Sequence, residues 1–266
     1  MELDFRLDPT MHIRIHASVN GTGPHDFHVD TGARATTISR ALAEQLKIET
    51  YEEERERAGI TYQTTLARLD NLRIGTDEFV DEEVLVMDLH KMFGPSAPYG
   101  NVGYTTLKHY VFSVNYTDQK LRLEREEPKG IAEWIDFQYV GGSHLVGVPT
   151  IVNGKGPYEL IIETGSGITI LSPELANDLE LGGNMQEVMV RGVEGQTTAH
   201  FASIDSLSVG KFLQKNLQVI VMDLGSVARS GGLIKDGAIG YNFLKSFETI
   251  IDYPNMRISF VPKGHN

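Results

Sequence analysis

The chain contains no cysteine, which excludes disulfides, thiolate metal ligands and a cysteine nucleophile together. It also lacks a basic excess: 24 Lys and Arg stand against 36 Asp and Glu, a formal net charge of −12. No Lys/Arg stripe gathers the cations it has, so nucleic acid is not an expected partner. No apolar run approaches the ~20 residues a membrane helix needs, and no membrane span is expected. The opening MELDFRLDPT has neither a basic stretch nor an apolar one, so it does not read as a signal peptide. As written this implies a cytoplasmic protein; a mature chain beginning after a removed signal reads the same way, which leaves a periplasmic or secreted location open. What is present is ample for a core: 266 residues, 41% of them hydrophobic.

Those residues are organised as a duplication. Val19 to Ile48 reads VNGTGPHDFHVDTGARATTISRALAEQLKI, and Val152 to Leu181 reads VNGKGPYELIIETGSGITILSPELANDLEL; at a constant shift of 133, 12 of 30 positions are identical. The likeness extends well beyond this window. Leu3-Asp4-Phe5 recurs as Ile135-Asp136-Phe137, and Gly59-Ile60-Thr61-Tyr62-Gln63-Thr64-Thr65 as Gly192-Val193-Glu194-Gly195-Gln196-Thr197-Thr198. Val84 to Leu89 matches Val219 to Leu224 at a shift of 135, and Gly100 to Tyr104 matches Gly237 to Tyr241 at 137. The rising shift places two small insertions in the second copy, after Gln196 and before Gly237. Expected lobes are residues 1–126 and 134–266, joined by a linker at 127–133, with Trp134 where the second copy docks.

The coarse reading is mainly β. Met11 to Val19 alternates apolar and polar as a half-buried strand does; Asn20 to Pro24 reads as a turn and Asp26 to Asp30 as the returning strand. Short helices follow each acidic triplet, capped by Ser39 and Ser172, with Pro173 at the first helical position. Further strands are expected at Leu66 to Ile74, Val80 to Met87, Tyr110 to Asn115 and Lys120 to Glu124, and further short helices near Tyr104 and Tyr241. The charge-dense Glu49 to Arg57 reads as a solvated connector.

An apolar strand ending in Asp30-Thr31-Gly32-Ala33, a short helix, a glycine-tipped hairpin, then Val102-Gly103: in this order the chain resembles the aspartic peptidases of the retropepsin and pepsin clan. The second half repeats the order with Glu163-Thr164-Gly165-Ser166 and Ile239-Gly240. The resemblance implies two acid-protease-like β-barrel lobes with short helices, related by a pseudo-two-fold with the cleft between them, acting as a monomer on peptide or protein substrates. It implies catalytic acids at Asp30 and Glu163, and no metal or cofactor. Thr31 and Thr164 would hydrogen-bond between the lobes, and Ser166 would bond the neighbouring carboxylate, which Ala33 cannot do. Gly59, Ile60, Thr61 and Tyr62 resemble one substrate-covering flap tip, and Gly192, Val193, Glu194 and Gly195 the other.

The residue types suit the chemistry. Two close carboxyls cannot both readily ionise, so they share a proton. The ionised one is a general base for water; the protonated one polarises the substrate. Glycine follows each acid because a Cβ would crowd the backbone N–H groups that must reach the carboxylate. The departure from the family is Glu163, one C–C bond or about 1.5 Å longer than aspartate, where a misplacement of ~1 Å costs about a hundredfold. Three readings therefore stand open: a working Asp/Glu dyad in an aspartic endopeptidase, a catalytically inactive module that binds peptides or a partner protein, or other chemistry.

Other residues read more plainly as structure. His12 and His16 share a strand face but lack a third metal ligand of fitting spacing. Gly165-Ser166-Gly167 has no phosphate-loop lysine, and Ser166 lacks the frame of a hydrolase nucleophile. Met87-Asp88, Met222-Asp223, Asn115 and Asp252 fit strand ends and turns. Tyr62 is placed to cover substrate, and Glu194 either faces basic peptides or is solvated surface.

Overall fold

A computed structural model describes residues 1–57, 60–192, 195–224 and 234–262. It is mainly β, and its two halves repeat one topology. In the first, eight strands run in the order Arg6–Leu7, Ile13–Val19, Thr22–Val29, Gly100–Val102, Thr37–Ser39, Asp77–Met87, Ile60–Ile74, Thr50–Arg57. Ile13–Val19 also pairs with Ile60–Ile74, so the sheet curls back on itself as a barrel. The second half has the same order and the same extra pairing, Val146–Val152 with Gly195–Val209.

The halves are fused by a six-stranded sheet whose centre is the antiparallel pair Val111–Asn115 and Phe247–Asp252. There Ser113 lies opposite Ile250, its own counterpart at the 137 shift. A strand paired with its own copy through equivalent residues is what a two-fold axis demands. Glu2–Asp4 and Ile135–Asp136, the recurring opening segments, close the sheet through Lys120–Glu124 and Arg257–Pro262. One hydrophobic core runs through both halves, including Phe27, Phe112, Phe137, Phe243 and Phe260.

Local chemistry explains most elements. Asn20-Gly21 and Asn153-Gly154 take positive φ at both positions (48° and 72°, 49° and 76°), the two-residue turn that matches strand twist. The turn is therefore shorter than the Asn20 to Pro24 expected, because Thr22–Val29 already forms strand. Ser39 and Ser172 each accept the amide of the third residue onward at 3.1 Å, capping Arg40–Leu46 and Pro173–Asp178. Tyr104–Leu107 and Tyr241–Leu244 are the other paired short helices. Asn115 accepts the Thr117 and Asp118 amides, Asp252 that of Asn255, and Asp88 caps Leu89–Phe93.

The connector expected over Glu49 to Arg57 is instead a strand, Thr50–Arg57, the outer arm of the first flap hairpin. Both faces of this arm are largely solvated, so it carries no period-two apolar signal. Its charges are held by neighbours: Arg55 bonds Glu53 at 2.8 Å and Glu83 at 3.3 Å. In the second half Gln186–Gly192 is the equivalent arm. Ile60, Thr61 and Tyr62 accordingly lie in a strand, and Gly192 pairs with Gly195 across the end of the second hairpin. Gly59, Val193 and Glu194 lie outside the described residues. Among the described residues no helix is long and apolar enough to cross a membrane.

Candidate active site

Thr22–Val29 and Lys155–Ile162 end side by side at the pseudo-two-fold, each handing on to an acidic residue, Thr and Gly. The Asp30 amide donates to Val102 O (3.1 Å) and the Glu163 amide to Ile239 O (3.0 Å), so the Val/Ile-Gly segments do pass behind the acids. Tyr104 N bonds Ala33 O and Tyr241 N bonds Ser166 O, both at 2.8 Å, tying each acid loop to the helix that follows.

The loops are locked across the axis by threonine. Thr31 N donates to Thr164 Oγ1 and Thr164 N to Thr31 Oγ1, both at 3.0 Å. Each hydroxyl in turn donates to the opposite strand: Thr31 to Ile162 O (2.8 Å) and Thr164 to Val29 O (3.1 Å). Both threonines are fully buried, where an unmade hydrogen bond would cost about 1–3 kcal/mol.

This grip brings Asp30 and Glu163 together. Gly32 N donates to Asp30 Oδ1 (2.8 Å) and Gly165 N to Glu163 Oε1 (2.9 Å). The glycines have a second role that their sequence position does not reveal: each makes room for the acid of the other half. A Cβ on Gly165 would stand 2.7–2.8 Å from the Asp30 carboxyl atoms; one on Gly32 would stand 1.8 Å from Glu163 Oε2. The extra methylene of Glu163 is taken up by reaching further over the opposing loop. Deep burial pushes the Glu163 carboxyl well above its ordinary range, and the neighbouring charge of Asp30 and a hydrogen bond with it add to this, against the Gly165 and Gly32 amides. One proton shared by two carboxyls is the expected state of such a pair.

Ser166 does not take the expected part. Its hydroxyl donates to Ile168 O at 2.7 Å within its own loop rather than to a carboxylate. The loop turns back tightly enough that this carbonyl is the nearer acceptor. The partner of Asp30 comes from elsewhere: Asn101 Nδ2 donates to Asp30 Oδ2 at 3.4 Å. His144 Nε2 bonds Gly32 O at 2.8 Å, so the second half also buttresses the first acid loop. Tyr116 and Tyr253, counterparts at the 137 shift, are buried close enough to feel the acids; burial foremost raises both phenols.

A further cluster escaped sequence reasoning. Behind Asp30, Asp8 accepts Arg14 Nε and Nη2 (both 3.3 Å) and faces His28 Nε2 at 3.1 Å; His12 stacks on His28 at 4.8 Å. Phe93 packs edge-on against both imidazoles. His16, by contrast, is exposed beside Asp26. At the 133 shift, Asp8, His12, Arg14 and His28 become Gly141, Leu145, Gly147 and Ile161, and Leu145 and Ile161 join a small apolar core. The mismatch between the repeats was the available signal: buried or half-buried positions that are Leu, Ile or Gly in one copy and titratable or charged in the other.

This cluster makes stability pH-dependent. Burial foremost, then His12 and Arg14, lower His28 from 6.5 to about 4. Burial raises Asp8, but hydrogen bonds from Thr10 and the nearby His12 outweigh it and hold the carboxyl low. A depressed imidazole binds its proton more readily in the unfolded chain. Stability is therefore full above pH 6.5 and declines as pH falls towards 4, by about 3 kcal/mol at ~1.4 per unit. Below that, protonation of Asp8 removes more. Thermal melts should drop by roughly 5–10 °C over this window, and His28→Gln should flatten the slope; a wild-type midpoint constant from pH 7 to 4.5 would contradict this account.

Comparison with known families agrees with this geometry in both halves. Residues 15–94 match the family of gag-polyprotein putative aspartyl proteases, and residues 148–243 match a family of aspartyl proteases. The chain belongs to the retropepsin-like aspartic-protease family. That family consists of aspartic-type peptidases, hydrolases acting on peptides and proteins. No curated protein matches the chain. Each match spans the acid triplet of its half and the flap hairpin after it, so the duplication is a duplication of the protease module.

Proposed function

We propose that the chain is an aspartic endopeptidase in which Asp30 and Glu163 form a mixed dyad, in a cleft between lobes 1–126 and 134–266 of one working monomer joined by 127–133. The observation that carries this reading is the position of the two carboxyls, Glu163 held over Gly32 and Asp30 over Gly165. Asp30 removes a proton from water as its oxygen attacks the peptide carbonyl carbon, and Glu163 gives its proton to the carbonyl oxygen. The tetrahedral diol then collapses: Asp30 passes its proton to the departing nitrogen, the C–N bond breaks, and the diol proton returns to Glu163. Thr31 and Thr164 fix the loops, and Gly32 and Gly165 supply amide donors and clearance. In this reading Tyr62 and the hairpins ending at Arg57–Ile60 and Gly192–Gly195 cover the substrate.

The reach of Glu163 favours a second reading, a peptide-binding module that has lost turnover. One experiment separates them: digestion of a mixed peptide library from about pH 3 to about pH 8, with binding measured alongside. Cleavage is expected below neutral pH, because Glu163 must hold its proton and activity falls as pH rises through its elevated pKa. Peptides that bind without being cut anywhere in this range would establish the binding module instead.

A further inference from the structure

The two acids are inequivalent beyond their length, and the difference lies in what stands next to them. Asp30 receives Gly32 N on Oδ1 and Asn101 Nδ2 on Oδ2. Glu163 receives Gly165 N on Oε1, but the residue matching Asn101 is Ala238, which has nothing to donate. Asn101 is also held at a cost. Its Oδ1 is buried and has no hydrogen-bond partner among the described residues, a penalty that alanine does not incur. Turning the amide over would relieve nothing, since it would set an oxygen against the Asp30 carboxylate. The register pairs Asn101 with His28, two residues before Asp30, and so fixes the backbone from which the amide reaches the acid.

Resting on the peptidase reading, we propose that Asn101 is a positioning residue that divides the labour of the dyad: its amide donor keeps Asp30 the ionised, water-activating member and leaves the shared proton on Glu163. Donation to a carboxylate stabilises the charged form, and the neighbouring acid takes the proton it excludes. The groups facing Asp30 are Glu163 from the other half, His28 from its own strand and Tyr253 from the central sheet; Asp8, Arg14 and His12 lie behind His28. The Gly32 amide has its counterpart at Gly165, so Asn101 is the neutral donor by which the two acids differ, and it sets the bias without adding charge.

The test uses Asn101→Ala, which installs the residue the second half already carries, and Asn101→Leu, which keeps the bulk and removes the donor. Both should lower kcat by about tenfold with KM within about twofold, and move the acid limb of the pH profile up by about one unit. Carboxyl 13C titration of the free protein gives a readout that needs no turnover: near pH 6 the Glu163 signal should be protonated and the Asp30 signal ionised, with the two steps closer together in both variants. A wild-type pH profile in Asn101→Leu, or titration steps unchanged in either variant, overturns the proposal. So does a wild-type titration with the proton on Asp30. If no peptide is cleaved but the titration behaves as expected, the peptidase reading falls and the division of roles by Asn101 stands.

Discussion

Asp30→Asn should abolish peptide hydrolysis, with kcat/KM expected to fall by about 10³–10⁴-fold or below detection. The amide cannot take a proton from water, and without a neighbouring negative charge Glu163 loses much of what holds its own proton. Glu163→Gln should come close to the same loss through the other half of the cycle, since nothing then protonates the carbonyl oxygen. Neither change touches the threonine bonds between the loops, which run through backbone groups and hydroxyls. Circular dichroism and melting temperature near pH 7 should therefore stay close to wild type, which separates lost chemistry from lost structure. Residual cleavage above about a tenth of wild type in Asp30→Asn would remove Asp30 from the catalytic role.

The architecture was legible because the sequence states it twice. A shift that stays at 133 through the first flap and rises to 137 by Gly100 fixes equivalent residues in both halves, and the central pairing of Ser113 with Ile250 obeys that shift. Caps and turns were legible from local chemistry, as at Ser39, Ser172, Asn20-Gly21 and Asn153-Gly154. The Thr50–Arg57 arm was not, because a hairpin with two wet faces has no apolar period and its charges resemble those of a linker. Around the acids, Asp30, Glu163 and the two threonines lie on one continuous motif and were found together. Asn101 reaches Asp30 from 71 residues away, His144 reaches Gly32 from 112, and Asp8, Arg14 and His28 meet across paired strands; pattern reading does not see such contacts. They share one mark: each differs in kind from its equivalent in the other half.

That contrast ties stability to catalysis. The first half carries His12 and His28 where the second carries Leu145 and Ile161, so the side that holds Asp30 is the acid-labile side. The chemistry asks for a protonated Glu163, while the fold asks for a neutral His28. Activity and stability thus pull the working pH from opposite sides, and the useful window lies where Glu163 still holds its proton and His28 has not yet gained one.

Glu163→Asp should raise activity, by about tenfold to a hundredfold in kcat. The threonine grip is closed at 3.0 Å in both directions, so the loops have not spread to receive a longer acid. Glu163 is accommodated by overreaching: its Oε2 lies 1.8 Å from where a Gly32 Cβ would be, while the Asp30 carboxyl keeps 2.7–2.8 Å from the matching point on Gly165. Shortening residue 163 by one methylene restores the symmetric clearance, and a correction of ~1 Å is worth about a hundredfold when it brings a reacting group into line. KM should change little, because the flaps and the walls of the cleft are untouched. The measurement is steady-state cleavage of one library-derived peptide by wild type and variant at the wild-type optimum, with Asp30→Asn as the blank. A fall in kcat for Glu163→Asp would show the opposite: a water site built around the longer side chain, with glutamate as the fitted acid.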